Sequence, residues 1–294
     1  VDFNYGMVAS FLFYFSFLLQ KWIKILHRSG SMTKFLRINL ILLRNAFIRD
    51  SKIRGFIMVN ILIQFIDITV SLIFFQVIFA NTLTLSGWNF YQVIFLFAFA
   101  KAIGTLHSSW TKKGLGSMTN EMVRLGDYDF YLTKPFNSMI LVSISRPRLY
   151  TLIALIYEIG FMIYAAGHSG IQITVMNYVW FFVLASFAFV LYYILRILTI
   201  VPVFWLTKTG ALYDLMDRMT NFLRYPAGIY PKFLLLILST VFPIILISYL
   251  PVRTLFYPPK IIHIMYMLSI TIFFAWLAQK IWQLGEKKYG SASS

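Results

Sequence analysis

Four charged side chains interrupt long apolar stretches of this sequence: Asp67, Lys101, Glu158 and Arg196. A charge placed in hydrocarbon is costly, so each side chain should face other protein or a water-filled cavity. Two interpretations follow. The charges could line a substrate pathway or a proton relay. Alternatively, the acids could form ion pairs between helices while the long bases reach toward the bilayer surface.

The usual motifs of catalysis and metal binding are missing from the sequence. No G-x-x-x-x-G-K-[ST] loop occurs, so the chain lacks the common means of holding nucleotide phosphates. No G-x-S-x-G elbow is present, the four histidines fit no metal-ligand spacing, and the absence of cysteine excludes thiolate sites. A membrane-embedded enzyme that modifies lipid through Asp67 or Glu158 is therefore an alternative without a motif of its own.

The composition assigns the chain to the membrane. Of its 294 residues, 60% are hydrophobic and 12% are charged, whereas soluble domains carry about 25% charged residues. A soluble fold of this size has too little interior to bury so much apolar surface. The net charge of +16 comes without a nucleic-acid-binding motif. It favours basic loops held against anionic membrane lipids, and we expect no nucleic-acid partner.

Six segments have the roughly 20 apolar residues that one membrane crossing needs. They are Gly55–Ala80, Phe90–His107, Leu149–Ala166, Ile173–Leu206, Phe233–Leu250 and Ile261–Gln283. Turn residues at Ser86-Gly87 and at Gly167–Gly170 divide two uncharged stretches that are too long for one crossing. The sequence therefore predicts an all-α polytopic membrane helix bundle of six transmembrane helices.

Basic residues fall on alternate connections between these segments. They precede the first segment, follow the second, follow the fourth (Lys208, Arg218, Arg224 and Lys232) and recur in the tail. The opposite connections carry only Arg253 and Lys260. By the positive-inside rule, both termini of the six-span unit, residues 55–294, are predicted to lie in the cytoplasm of a multi-pass plasma-membrane protein.

Two segments precede this unit. Residues 32–54 place polar and apolar side chains on opposite sides of a helix, which predicts an interfacial amphipathic helix. The polar side holds Lys34, Arg37, Arg44, Asn45 and Arg49, and the apolar side holds Leu36, Leu40, Leu43 and Phe47. Residues 1–31 contain 18 uncharged residues followed by basic ones, the reverse of a secretory signal. They could form a seventh crossing or be non-native sequence, since Met32 resembles a natural start.

The loop after the second segment, Glu121–Asn137, has the chemistry of a short capped helix. Gly126 can end one helix in the left-handed conformation, and Asp127 can cap a new one over Tyr128–Thr133. Pro135 disfavours helix at the residue before it. Such a helix, flanked by basic residues, suits docking of a soluble partner, and an amphipathic turn on the membrane surface is an equal alternative.

The same loop carries a family signature, R-x-G-x-x-D-x-x-L-x-[KR]-P. It is matched at Arg124, Gly126, Asp129, Leu132, Lys134 and Pro135. Weaker matches follow in the family's order at Gly87-Trp88, Phe204-Trp205, Tyr225-Pro226, Pro243, Tyr249–Pro251 and Tyr289–Ala292. Residues 32–294 thus resemble a bacterial permease family in the type-2 class of ABC exporters.

The resemblance implies a six-span permease that is not itself an enzyme. It implies a second permease subunit, a related but distinct chain, and two separate ABC ATPase subunits that bind the ATP, so that no cofactor is bound directly. The segment from Arg124 to Pro135, Asp127 included, would be the coupling helix that contacts the ATPase. The substrate is unassigned, and the sparse polar content of the spans mildly favours a lipid-like, peptide or drug-like one. A channel or scaffold subunit without energy coupling is the remaining alternative.

Overall fold

A computed structural model describes residues 32–52, 54–118, 122–206 and 209–289. The hypotheses about residues 1–31 and most of the predicted family ending lie outside these ranges. Within them, twelve α-helices follow one another along the chain. They are α1 (Met32–Ser51), α2 (Arg54–Asn81), α3 (Phe90–Trp110), α4 (Lys112–Ser117), α5 (Asp129–Leu132), α6 (Ser138–Ile144), α7 (Ala154–His168), α8 (Val175–Ile200), α9 (Gly210–Met219), α10 (Lys232–Leu236), α11 (Ile245–Phe256) and α12 (Ile261–Lys288). The predicted all-α membrane bundle is confirmed.

Five of the predicted spans are present as long apolar helices, with ends that differ from the predicted ones by only a few residues. Including the 3-10 turns that extend two of them, they are Gly55–Asn81, Phe90–Trp110, Leu149–His168, Val175–Phe204 and Ile261–Lys288. Length and hydropathy suffice to locate them, because each crossing needs about 20 apolar residues in one run.

Two tight turns define one end of the bundle, which we call the hairpin end. In the turn between α2 and α3, Ser86 and Gly87 have φ of 51° and 81°, the left-handed region that glycine adopts readily. Asn89 then caps α3 in a capping box with Gln92. The Asn89 side chain also donates to the carbonyl of Ser169 in the turn between α7 and α8 (2.9 Å). We call the opposite end, which carries α4 to α6, the basic end.

The spans differ in how much of their surface the chain itself covers. In the apolar windows of the spans, 67% of α3 is buried within the molecule but only 11% of α2. α3 therefore lies at the centre, packed against α7, α8 and α11. Since lipid tails are as apolar as these side chains, burial in the bundle is not needed to keep α2 in the bilayer. Most of the α2 surface is free to contact lipid or another chain.

The predicted fifth span, Phe233–Leu250, is not one straight helix. The chain forms two pieces there, Lys232–Val241 and Ile245–Phe256, which meet at an angle of 99°. Pro243 lies at the break, where proline removes a backbone hydrogen bond and cannot continue a helix.

Both ends of this bent pair lie at the hairpin end. The pair begins shortly after Gly228, where an added Cβ would lie 3.0 Å from the Ser86 side chain in the first turn. It ends next to Tyr257, whose hydroxyl donates to the Gly87 carbonyl of the same turn (3.2 Å). The pair therefore enters the bundle and leaves it on one side, as a re-entrant hairpin.

The crossing from the basic end to the hairpin end is made earlier, by α9 and the turns that follow it. The Tyr213 hydroxyl donates to the Lys112 carbonyl (2.6 Å) at the basic end. Farther along, Arg224 lies over the Phe97 ring of α3, and Gly228 reaches the first turn. Arg224 is therefore inside the bundle and Lys232 is at the hairpin end, not in the basic loop where the sequence placed them.

The predicted amphipathic helix is present as α1, although the side chains of residues 32–38 are not among those described. Its end docks onto the start of the third span. The buried Asp50 carboxylate accepts the backbone N–H groups of Leu149 (2.9 Å) and Tyr150 (3.3 Å), and Arg49 donates to the Pro147 carbonyl. Its exposed Leu40 and Phe47 are consistent with contact to a bilayer surface, and the interfacial position stays a prediction.

Candidate functional site

The loop segment Arg124–Pro135, which we call the knob, lies at the basic end. Gly126 has φ of 84°, in agreement with the predicted left-handed position. The chain then folds back, with the Tyr128 N–H donating to the Met122 carbonyl (3.1 Å). The helix α5 is shorter than predicted and begins at Asp129. Asp127 does not cap it, since Tyr128 occupies the N-cap position and forms no side-chain capping bond.

Tyr128 fixes the knob to the spans. Its side chain is fully buried, and its hydroxyl donates to Glu286 Oε1 at the end of α12 (2.7 Å). Its ring packs edge-on against Phe204 at the end of the fourth span (5.3 Å between centroids) and against Tyr289 (5.2 Å). Burial raises the pKa of Tyr128 above its ordinary value, so the hydroxyl keeps its proton and remains a donor.

The Glu286 carboxylate gathers further donors at the same point. Trp282 Nε1 donates to Glu286 Oε1 (3.1 Å) and to Ser138 Oγ (3.2 Å), and Ser138 donates to Glu286. Trp282 is 3% exposed, so its indole is packed inside the protein and not at the bundle surface. The cluster joins the knob, α6 and α12 into one unit at the basic end.

The outer surface of the knob is apolar at its centre and charged at its rim. Leu125, Phe130 and Leu132 are 58%, 60% and 44% exposed. Lys134 Nζ lies 4.2 Å from the centroid of the Phe130 ring, within the range of a cation–π contact. The other signature side chains at the rim, Arg124 and Pro135, are exposed, as is Asp127, whereas Asp129 is half-buried. An apolar centre within a polar rim is the usual composition of a protein-docking surface.

The four charges within the spans lie at two places. Lys101 of α3 forms an ion pair with Asp67 of α2. Glu158 of α7, which is 1% exposed, accepts a hydrogen bond from Thr105 of α3 (2.8 Å). The ion-pair interpretation therefore holds for Asp67, and Glu158 is a buried carboxyl held by a hydroxyl. In the described residues no group of three His, Asp or Glu could hold a metal.

The fourth charge, Arg196, has a partner that the sequence did not predict. It is 1% exposed and pairs with Asp217 of α9, which also binds Lys112 Nζ (2.8 Å). The Arg196 guanidinium lies 5.0 Å from the Tyr213 ring centroid. Hydropathy could not reveal this cluster, because α9 was interpreted as part of a cytoplasmic loop.

These residues border a cavity of about 420 Å³ between α2, α3, α8 and α9. Its charged lining residues are Lys101, Lys112, Arg148, Arg196, Asp217 and Arg224. Asp67 and Glu158 adjoin it through Lys101 and Thr105 without lining it themselves. The sequence analysis singled out Lys101 and Arg196. The other four charged lining residues, Lys112, Arg148, Asp217 and Arg224, come from segments that the sequence placed in loops.

Residues 65–293 match the model of the family described as ABC-2 family transporter protein. The match covers the knob and nearly all of the spans. No curated protein matches the chain, and no solved structure does. The chain therefore belongs to the ABC-2 transporter family, as a multi-pass membrane component of transport and not a catalytic subunit.

Proposed function

We propose that this ABC-2 family member is the permease subunit of an ATP-driven exporter, coupled to a separate ATPase subunit through the knob. The observation that carries the proposal is an exposed apolar surface fixed to the ends of two spans. Leu125, Phe130 and Leu132 present that surface, and Tyr128 ties it to Glu286 and Phe204. With no phosphate loop in its sequence, the chain would obtain its ATP-driven work from a partner.

The contacts suggest how movement of an ATPase would reach the transport pathway. A push on the knob passes through Tyr128 to the ends of α12 and of the fourth span. Gly285 of α12 packs closely on the Phe204 ring, so those two ends would move together. ATP binding would thus bias the bundle between an inward-facing and an outward-facing arrangement.

In this proposal the basic end faces the cytoplasm of a cell whose plasma membrane holds the protein. Moving Arg224 and Lys232 out of the basic loop weakens the charge bias, since Lys232 joins Arg253 and Lys260 at the hairpin end. Lys112, Lys113 and Arg146 remain at the basic end and keep the direction of the bias. Both termini of the six-span unit would then be cytoplasmic, within reach of a soluble ATPase.

The complete transporter would contain two permeases and two ATPases, with one knob seated in each ATPase. The largely uncovered surface of α2 leaves room for a second, related permease or for lipid. Arg124, Asp127 and Lys134 at the rim of the knob would set the orientation of docking, because rim charges influence encounter more than affinity.

Co-purification tests the proposal. The tagged chain, expressed with its candidate ATPase, should retain that ATPase through purification and stimulate ATP hydrolysis. Phe130→Asp places a charge in the docking surface and should abolish both effects. Leu83→Asp, a matched change at a residue 94% exposed at the hairpin end, should leave both intact. Retention of the ATPase by Phe130→Asp at the level of the unaltered chain would refute the docking role of the knob.

A further inference from the structure

The charges around the 420 Å³ cavity do not balance. Five basic side chains line it. Three of these form ion pairs with two carboxylates: Asp67 pairs with Lys101, and Asp217 pairs with both Lys112 and Arg196. Neither Arg148 nor Arg224, the other two, has an ion pair with a carboxylate of the described residues. The cavity is therefore positively charged when it is empty of ligand.

The two unpaired guanidiniums lie at different depths. Arg148 stands at the start of the third span, where its backbone N–H donates to the Ser109 carbonyl (2.7 Å). Its buried Nε has no hydrogen-bond partner in the described residues, and the same is true of Arg196 Nε. Arg224 lies deeper, over the Phe97 ring in the middle of α3. Unpaired charge at this depth is costly, and an anionic ligand would offset that cost.

The neutral part of the lining supplies further hydrogen-bond donors. These are the amides of Asn60, Gln64 and Asn221 and the hydroxyl of Ser108. The hydroxyls of Thr105, Thr151 and Thr220 also line the cavity, but each already donates within the protein, to Glu158, to the Arg148 carbonyl and to the Asp217 carbonyl respectively. Guanidinium groups bind phosphate with two parallel hydrogen bonds, and their weak hydration makes them suited to partly buried phosphate sites. The combination of guanidiniums, ammoniums and neutral donors favours a compact oxyanion over a cation or an uncharged ligand.

One wall of the cavity leads to the surface of the spans. Asn60 and Gln64 of α2 line the cavity, while Met58, Leu62 and Ile63 of the same helix are 70%, 58% and 58% exposed. Polar and apolar surfaces thus alternate around a single helix. A ligand with an anionic head in the cavity could lay an apolar chain along this exposed surface.

We propose that the cavity binds a phosphate-bearing anion, which is the headgroup of the exported cargo. This inference rests on the proposed transport function. The cavity volume is in the range of pockets that hold small molecules or headgroups. Arg148 would meet the phosphate at the cytoplasmic entrance, and Arg224 would hold it at mid-depth.

Ligand binding to the full-length protein in nanodiscs of zwitterionic lipid tests this proposal. The probes are short-chain phosphatidic acid, diacylglycerol with the same chains, and inorganic phosphate as a competitor. We expect phosphatidic acid to bind at least tenfold more tightly than the uncharged diacylglycerol. Arg224→Gln and Arg148→Gln should each weaken its binding about tenfold or more, and Arg224→Lys should restore part of it. Lys280→Gln, at an exposed basic residue on α12, is the matched control and should bind as the unaltered chain does.

Equal affinity for the charged and uncharged probes would overturn the proposal, as would unchanged binding in both arginine variants that retain the unaltered melting temperature. Inorganic phosphate that binds as tightly as phosphatidic acid would identify the ligand as a soluble phosphate compound; weak competition would identify a lipid. Because no ATPase takes part, failure here leaves the co-purification result, and with it the permease assignment, standing.

Discussion

At the scale of single residues, Tyr128 joins the proposed docking surface to the membrane spans. Leu125, Asp127 and Phe130 near it are exposed, whereas its own side chain is fully buried and donates to Glu286. The exposed neighbours can therefore be replaced without unfolding the protein, while Tyr128 is expected to matter for both stability and coupling.

We predict that Tyr128→Phe lowers the free energy of unfolding by about 2 kcal/mol, since it removes one buried hydrogen bond to a carboxylate. In the proposed exporter it would also loosen the coupling of hydrolysis to transport. Thermal unfolding in detergent and the ratio of transport to ATP hydrolysis measure the two effects. Tyr131→Phe is the control, because the Tyr131 ring neighbours Tyr128 but its hydroxyl has no hydrogen bond among those described here. Equal stability of both variants would contradict the anchoring role.

Residue chemistry predicted some of the site and missed the rest. The cost of burying Asp67 indicated an ion pair between helices as one of two interpretations, and Lys101 is its partner. Lys101 itself was expected to reach toward the bilayer surface. The glycine signal at Gly126 predicted a left-handed turn. The partner of Arg196 was out of reach, because nothing in the local sequence of Asp217 distinguishes it from a solvated loop acid. Anchoring by Glu286 depends on contacts across more than 100 positions of the chain, which local patterns do not encode.

At the scale of helices, hydropathy located the apolar segments correctly, but it did not determine at which end of the bundle each segment begins and ends. The five straight spans follow from the length of apolar runs alone. The segment from Lys232 to Phe256 is equally apolar, but hydropathy records depth in the bilayer and not on which side a segment emerges. Pro243 offered the one local signal of a break, and it could equally have indicated a kinked single span.

The re-entrant hairpin makes a topological prediction. Because the sequence contains no cysteine, single cysteines can be introduced as unambiguous labels. Lys232→Cys should react with a membrane-impermeant maleimide from the same side as Leu83→Cys at the hairpin end. A continuous fifth span beginning near residue 233 would place the two cysteines on opposite sides, and labelling in that pattern would refute the re-entrant arrangement.

At the scale of the whole molecule, the proposed transport mechanism places ATPase docking and cargo binding in two regions of the bundle. The knob at the basic end offers a docking surface tied to α12 and to the fourth span. The charged cavity begins at the same end and reaches the middle of α3. An ATPase and a cargo would therefore approach from the same side, and export would carry the cargo toward the hairpin end. The composition alone predicted a membrane bundle. The placement of the knob and the cavity at the same end could not be predicted, because it depends on the path of α9 from the basic end toward the hairpin end.

The central claim requires the knob to lie on the cytoplasmic side of the membrane. Thr133→Cys, at an exposed position of the knob, should be unreactive toward the impermeant maleimide in intact cells and reactive in inside-out vesicles, where added ATPase should protect it. Leu83→Cys should show the opposite sidedness. Labelling of Thr133→Cys in intact cells would place the knob outside the cell, beyond the reach of any ATPase, and would contradict the central claim.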